Sequence, residues 1–260
     1  MHRLAALLVA ASLVPAVAAA QQSGPVVIEL YTSQGCSSCP PADTLFADLA
    51  RRDDVIALAL HVDYWDYLGW KDAFARPRHT ARQKAYAKAA RSRTIFTPEL
   101  IVQGEDRLRG HDSAGIGTRI TAHLRAPRGA ALSVARAGDD LHIDVAPVAA
   151  ASTAPPTQPI AGLTLADERA VPKPAATGPA DIHVVRYVPQ EQVSIDGGEN
   201  AGQTVTYHNI VTDWQTIGQW DGASEAGRDR SRRHPRRALR PPGAGLDRWR
   251  RERGADGDLP

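Results

Sequence analysis

The sequence predicts an α/β domain followed by a small antiparallel β-rich one. Three observations carry that expectation. Strand-like and helix-like segments alternate from Val26 to Leu124, a layer pattern with mixed strand pairing. The alternation stops at Ala126-Pro127-Arg128-Gly129. Beyond it, period-two strands recur without helices. The expected boundaries are 24–127 for the first domain and 128–222 for the second, with a tail over 223–260.

VVIELY (Val26–Tyr31) is continuously apolar apart from Glu29, as in a strand covered on both faces. Pro40 through Arg52 reads as a helix with Leu45, Phe46 and Leu49 on one side. VIALALHVDYW (Val55–Trp65) is a second buried strand, and Arg78–Arg93 an alanine-rich basic helix. PELIVQG (Pro98–Gly104) and DRLRGH (Asp106–His111) form a strand pair, and Ile116–Leu124 a closing helix. In the second half, ALSVARA and LHIDVAP flank Gly138-Asp139-Asp140 as a hairpin. Residues 148–180 are rich in Ala, Pro and Thr and lack a period, so a long disordered insertion is expected there. DIHVVRYV and QTVTYHNIVTDWQ are strands again, joined by DGGENAGQ.

The chain of 260 residues has 43% hydrophobic residues, enough for a core without disulfide staples. Its formal charge of +2 hides a division. Residues 223–260 carry eleven arginines against six acidic residues, which leaves residues 1–222 slightly acidic. The tail has no helical or strand period and is expected to be disordered. Its Arg/Gly/Pro/Ala/Asp mixture is what an out-of-frame reading of a GC-rich gene yields, and no nucleic-acid partner is inferred from it. At the other end, MHRLAALLVAASLVPAVAAAQQ has the layout of a secretory signal, residues 1–20, with cleavage expected after Ala20. Its apolar run is short for a bilayer span, so no stable membrane insertion is expected after cleavage. A periplasmic or secreted location follows, where disulfides persist.

Cys36 and Cys39 are the two cysteines of the chain, in YTSQGCSSCPPAD. They follow the carboxyl end of a buried strand, where sites in open sheets fall. Pro40 suits the first turn of a helix, whose free N–H groups stabilise a thiolate. In that geometry Cys36 is the exposed nucleophile and Cys39 the resolving thiol. Two other readings stand beside this one. As a brace the pair closes a short loop, worth only about 2 kcal/mol. As a copper or zinc site it needs further ligands, such as His61 or His111, because zinc takes at least three from protein.

The same stretch, with HVDYWDYLGWKDAF, RQKAY, TPELIVQG and GGENAG, resembles a thioredoxin-like family of secreted bacterial proteins of unknown function. The resemblance spans roughly residues 25–222. It implies a thioredoxin-like first domain with a β-rich companion. It further implies a cis Thr97–Pro98 bond beside the dithiol, and a role for Glu29 as a buried proton relay. A salt-bridged structural Glu29 is the alternative. Glu99 stands where the family suggests glutamine, and the last strand expected after Trp220-Asp221-Gly222 is not apparent. His61 and Asp63 are expected either to line the cleft or to sit in the core. Trp65, Tyr67 and Trp70 are expected to pack between domains, and Gly197-Gly198-Glu199-Asn200 to be a turn. The function expected is an exported thiol-disulfide oxidoreductase or redox sensor with catalytic Cys36, Cys39, Thr97, Pro98 and Glu29. Its partner would be a thiol-containing protein or small thiol, with no cofactor and no resident metal. The alternative functions are a non-catalytic thioredoxin-like binding module with a fixed disulfide, or a copper- or zinc-binding protein.

Overall fold

A computed structural model describes residues 24–138, 140–148, 178–223 and 226–230. The expected signal segment, most of the insertion and residues 231–260 lie outside the described residues. Among the described residues, 24–128 with 185–214 make one compact unit, and 129–148, 178–184 and 215–230 a second.

The first unit begins with β1 (Val26–Thr32), α1 (Pro40–Leu49) and β2 (Val55–His61). A short 3-10 turn (Asp66–Leu68) leads to α2 (Pro77–Ala89), then β3 (Glu99–Val102), β4 (Asp106–Arg109) and α3 (Ser113–Arg125). β1 runs parallel to β2 from Val26↔Val55 to Thr32↔His61, and antiparallel to β3. β3 pairs antiparallel with β4. The apolar run of β1 is continuous because both faces are covered. Val26, Ile28 and Leu30 pack with Ala42, Phe46 and Leu49 of α1 and with Ile116 and Ile120 of α3. Tyr31 lies in the core of the other face with Leu58, Leu60, Ile101 and, from α2, Tyr86. α3 starts earlier than expected, at Ser113, because the Asp112 side chain accepts from Gly115 N and caps it.

β7 (Ala180–Ser194) and β8 (Thr204–Trp220) correct the expected domain boundary. The sheet order is β4-β3-β1-β2-β8-β7, with β8 parallel to β2 at Ala59↔Ile210. Residues 128–222 therefore do not form one domain. The period-two pattern identified these strands but carried no information about their neighbours. Ile210 and Val211 are buried, which is what the open edge of β2 demands. Thr212 Oγ1 donates to Arg186 O, and the Ser194 and Thr204 hydroxyls meet, so β7 and β8 run antiparallel.

In the second unit β5 (Ala130–Ala137) and β6 (Asp140–Pro147) form the expected hairpin. β9 (Ala226–Arg230) pairs antiparallel with β6 on the other side. Ile143, Val145 and Trp220 form the unit's core with Ala130, Ile182, Val184 and Ile217. The strand expected to be absent after Gly222 is thus present, within a stretch whose arginine content concealed it.

Candidate functional site

Cys36 and Cys39 are joined by a disulfide, with their Cα atoms 5.4 Å apart. Cys39 is the N-cap residue of α1, and the two prolines behind it occupy the first turn, where missing N–H groups cost nothing. Cys39 N donates to Cys36 O at 3.1 Å, closing the turn that holds the pair. One expectation is corrected here: Cys36 is only 2% exposed, against 0% for Cys39. The exposed residues of the motif are Ser37 and Ser38.

The Thr97–Pro98 bond is cis, as expected, and the segment lies against the disulfide. Thr97 Oγ1 donates to Cys36 Sγ at 3.2 Å and accepts from Trp65 Nε1 at 2.7 Å. Ser38 Oγ donates to Thr97 O at 3.4 Å. Gly110 supports this arrangement from β4's end. A Cβ there would lie 2.8 Å from Pro98 Cβ and 3.0 Å from Ala42 Cβ. Only glycine allows the two segments to close.

Glu29 is buried, and its carboxylate is fully engaged. Arg82 Nε and Nη2 donate to Oε2 and Oε1 at 2.8 and 2.7 Å, Tyr31 to Oε2 and Tyr86 to Oε1. The salt-bridged alternative describes it, not a relay at the disulfide. The pairing also explains RQKAY, whose Arg82 and Tyr86 supply two of the partners. Burial and the adjoining Glu29 charge push the Tyr31 and Tyr86 phenols up. Glu99 has a parallel explanation: fully buried, it accepts from Gln83 Nε2 at 2.7 Å and from Arg107 Nε at 2.6 Å. Arg107 in the paired strand compensates its charge.

A second buried polar group lies beside Cys39. Asp43, one turn along α1, bonds its own N–H to Cys39 O and accepts from Thr32 Oγ1 through Oδ1 at 2.8 Å. Its Oδ2 is buried and unpartnered, as is His61 Nε2. His61 Nδ1 donates to Asp72 Oδ2 at 2.7 Å, and Gln34 N donates to the same oxygen. The His61 ring stands edge-on to Tyr207 and Phe74. Desolvation pushes the Asp43 carboxyl up to about 7, against a smaller opposing effect of His61. Burial, then the charges of Asp43 and Asp72, raise the Tyr207 phenol. Asp63 instead accepts from Thr80 Oγ1 at 2.6 Å.

Asn200 is the functional residue most easily missed. Its Nδ2 donates to Gln34 O and Cys36 O, both at 2.9 Å, so the GGEN turn fastens the backbone of the cysteine loop. Trp70 Nε1 donates to Gln34 Oε1, and Trp65 reaches Thr97, so both indoles brace this loop. The expected packing between domains is corrected for these two residues. Tyr67, stacked near Trp65, is 76% exposed. The only sequence signal for Asn200 was the presence of GGENAG within the resemblance. No group of three or more His, Cys, Asp and Glu side chains is gathered in metal-holding geometry among the described residues. His111 is exposed.

Fold and site together define a mixed α/β protein with a disulfide at the start of its first helix. The chain belongs to the family described as "Protein of unknown function (DUF1223)", which it matches over residues 27–166 and 161–239. That match, like β9, carries the patterned chain beyond Gly222, where the sequence reading ended it. The chain is similar to the crystal structure of protein AGR_C_4864 from Agrobacterium tumefaciens, with 33% identity and a TM-score of 0.60. That likeness covers 78% of this chain and 77% of the other. HBP35 of Porphyromonas gingivalis shows a partial likeness at 17% identity, covering 47% and 42% of the two chains, with a TM-score of 0.32. No curated protein matches the chain.

Proposed function

We propose that this protein is an exported, thioredoxin-like thiol-disulfide exchange protein acting through Cys36 and Cys39 on a thiol-bearing protein or small thiol. The observation that carries the reading is the contact of Thr97 Oγ1 with Cys36 Sγ at 3.2 Å. It brings the start of β3 against a disulfide that itself sits at a strand's carboxyl end and a helix's first turn. The order β2-β1-β3-β4 also supports the thioredoxin-like reading, with α1 and α3 packing on one face and α2 on the other. Cys36 is taken as the sulfur to be attacked, since it adjoins the exposed Ser37 and Ser38, whereas Cys39 leads into α1. Export rests on the N-terminal sequence and suits a protein with a disulfide. The test is equilibration with glutathione buffers, reading the reduced fraction by thiol trapping. A potential above about −300 mV is expected for an exchange site.

The burial of both sulfurs favours a second reading, a binding module with a fixed disulfide. A potential well below that value, together with slow alkylation of Cys36 after reduction, would establish it instead.

A further inference from the structure

We propose that a basic cleft at the end of α2 docks an acidic stretch of polypeptide beside the cysteine of the substrate. The inference rests on the exchange reading above and names its partner as an acidic, thiol-bearing polypeptide rather than a small thiol. Residues 76–95 hold seven Lys or Arg and no Asp or Glu, in a chain whose first 222 residues are slightly acidic. Three of the seven are occupied. Arg82 binds Glu29, Arg78 binds Asp213, and Arg76 donates to Ala73 O and Ala75 O. The other four, Lys84, Lys88, Arg91 and Arg93, are exposed, and none makes an ion pair among the described residues. All four line one open cleft of about 470 Å³, with Thr94 and Ile95 on its wall and no carboxylate among its described lining residues. That size suits a binding cleft.

Local structure does not call for this charge. Lys88 suits the negative end of α2, but Lys84 stands one turn before it, where like charges repel. Arg91 follows the cap residue Ala90 at a φ of 55°, the left-handed position that glycine normally takes. Ser92 N donates to Ala87 O at 2.8 Å and closes the helix end around it. An arginine kept where glycine would fit better serves something other than ending the helix. The cleft is also tied to the disulfide. Its wall residue Thr94 stands three residues before Thr97, whose hydroxyl donates to Cys36 Sγ. Arg107 Nη2 donates to Thr94 O and Gln83 Nε2 to Phe96 O, which fixes the segment between cleft and sulfur. Three extended residues span at most about 11 Å. A substrate held with its sulfur at Cys36 therefore reaches the cleft with residues about three to five positions from its cysteine. Acidic side chains there meet the four cations, which steers encounter and raises the on-rate. A small thiol is too short to gain from them.

The experiment compares two cysteine peptides that differ only in carrying Glu or Lys about three to five positions from the cysteine. Each reduces the disulfide of the full chain. One peptide thiolate attacks Cys36 Sγ and displaces Cys39 as thiolate, and a second attacks the mixed disulfide and releases Cys36. Two peptide thiols become one disulfide, and their two electrons and two protons end on Cys36 and Cys39. Rates are read by thiol trapping and expressed per peptide thiolate, since flanking charge moves the thiol pKa. At low ionic strength the Glu peptide should react at least about tenfold faster, and the ratio should fall toward one near 1 M salt, where the Debye length is about 3 Å. Lys84→Glu/Lys88→Glu should bring the low-salt ratio to about one. Arg125→Glu/Arg136→Glu, equal in charge but outside the cleft, should keep it. Arg91→Gly should lower the ratio about threefold while raising the urea midpoint, because glycine fits the left-handed position. A merely structural Arg91 would give the second change without the first. If wild type reacts with both peptides at one rate, or Lys84→Glu/Lys88→Glu keeps the preference, the docking site is overturned and the exchange reading stands. If that double variant does not fold, an unchanged ratio in Arg91→Gly overturns the site equally. If neither peptide nor dithiothreitol reduces wild type, the exchange reading falls and the docking site with it.

Discussion

Two buried acids on the central sheet have opposite surroundings. Glu29 receives donors from Arg82, Tyr31 and Tyr86, so every strong acceptor position is filled. Asp43 receives one hydroxyl, from Thr32, and keeps its other oxygen buried without a hydrogen-bond partner. Both side chains are equally hidden from water, so burial alone does not separate them. What separates them is compensation. A carboxylate held by a bidentate guanidinium is fixed in one state, and its work is to join β1 to α2. A carboxyl without a cation at bonding distance can take either state, and its environment decides which.

The difference is broken most severely by removing the compensating cation. Arg82→Ala leaves the Glu29 charge buried without its partner, and the expected loss is about 3–5 kcal/mol in urea denaturation at neutral pH. Arg82 also lies over the Trp214 ring at 3.9 Å, so packing is lost with the charge. A loss below about 1 kcal/mol would mean that the two tyrosines hold Glu29 unaided.

Asp43 should show its character as a pH dependence. An acid whose folded pKa lies above its unfolded one contributes stability that is complete below about pH 4. That contribution is lost as pH rises to about 7. Moving from 3.8 to about 7 makes this on the order of 4 kcal/mol, at about 1.4 kcal/mol per tenfold in proton affinity. Asp43→Asn cannot ionise, so its stability relative to wild type should improve between about pH 5 and pH 8. Parallel stability curves for the two proteins would contradict the contrast with Glu29.

These two acids also mark how far the sequence could be read. β1 and β2 were legible because strands covered on both faces are apolar at nearly every position, and the Pro40 helix start was legible from proline's missing donor. The spacing of Cys36 and Cys39 allowed a disulfide but left a metal site open beside it. Glu29 stood out as a charge within an apolar run, but its partners Arg82 and Tyr86 are brought in by α2, which local pattern does not reveal. Asp43 carried no signal in the sequence, because its burial depends on β1, β2 and β8 together. β8 itself read as a strand, but not as the neighbour of β2. Pairing is a matter of register between distant segments, and period alone is silent on it.

Asn200 sharpens the comparison from the backbone side. Asn200→Ala removes the amide that donates to Gln34 O and Cys36 O; Cys36 O keeps Cys39 N, but Gln34 O in the buried loop loses its donor. A cost of about 2 kcal/mol is expected in urea denaturation, since each unmet buried group costs about 1–3 kcal/mol before the loop relaxes. Once freed, the loop should also expose the disulfide, so reduction by dithiothreitol should quicken. Unchanged reduction with lowered stability would assign Asn200 to the fold alone.

The smallest effect is the most selective one. Thr32→Val keeps the shape of β1's last residue and removes the single hydroxyl bonded to Asp43 Oδ1. At about pH 5 Asp43 is neutral in wild type and variant alike, so the loss is that of one ordinary hydrogen bond, about 1 kcal/mol. Near pH 8 the hydroxyl stabilises a buried charge, and the same substitution should cost about 1.5–3 kcal/mol. The Thr32 bond favours the ionised form, so its removal should also raise the Asp43 pKa above about 7. That is measurable directly by carboxyl NMR titration. The matched control is Tyr86→Phe, which removes one donor from Glu29 while Arg82 and Tyr31 remain. If Asp43 is the acid free to change state and Glu29 the fixed one, the cost of Thr32→Val must grow with pH in this range. That of Tyr86→Phe must stay level, and equal pH profiles for the two substitutions would erase the distinction.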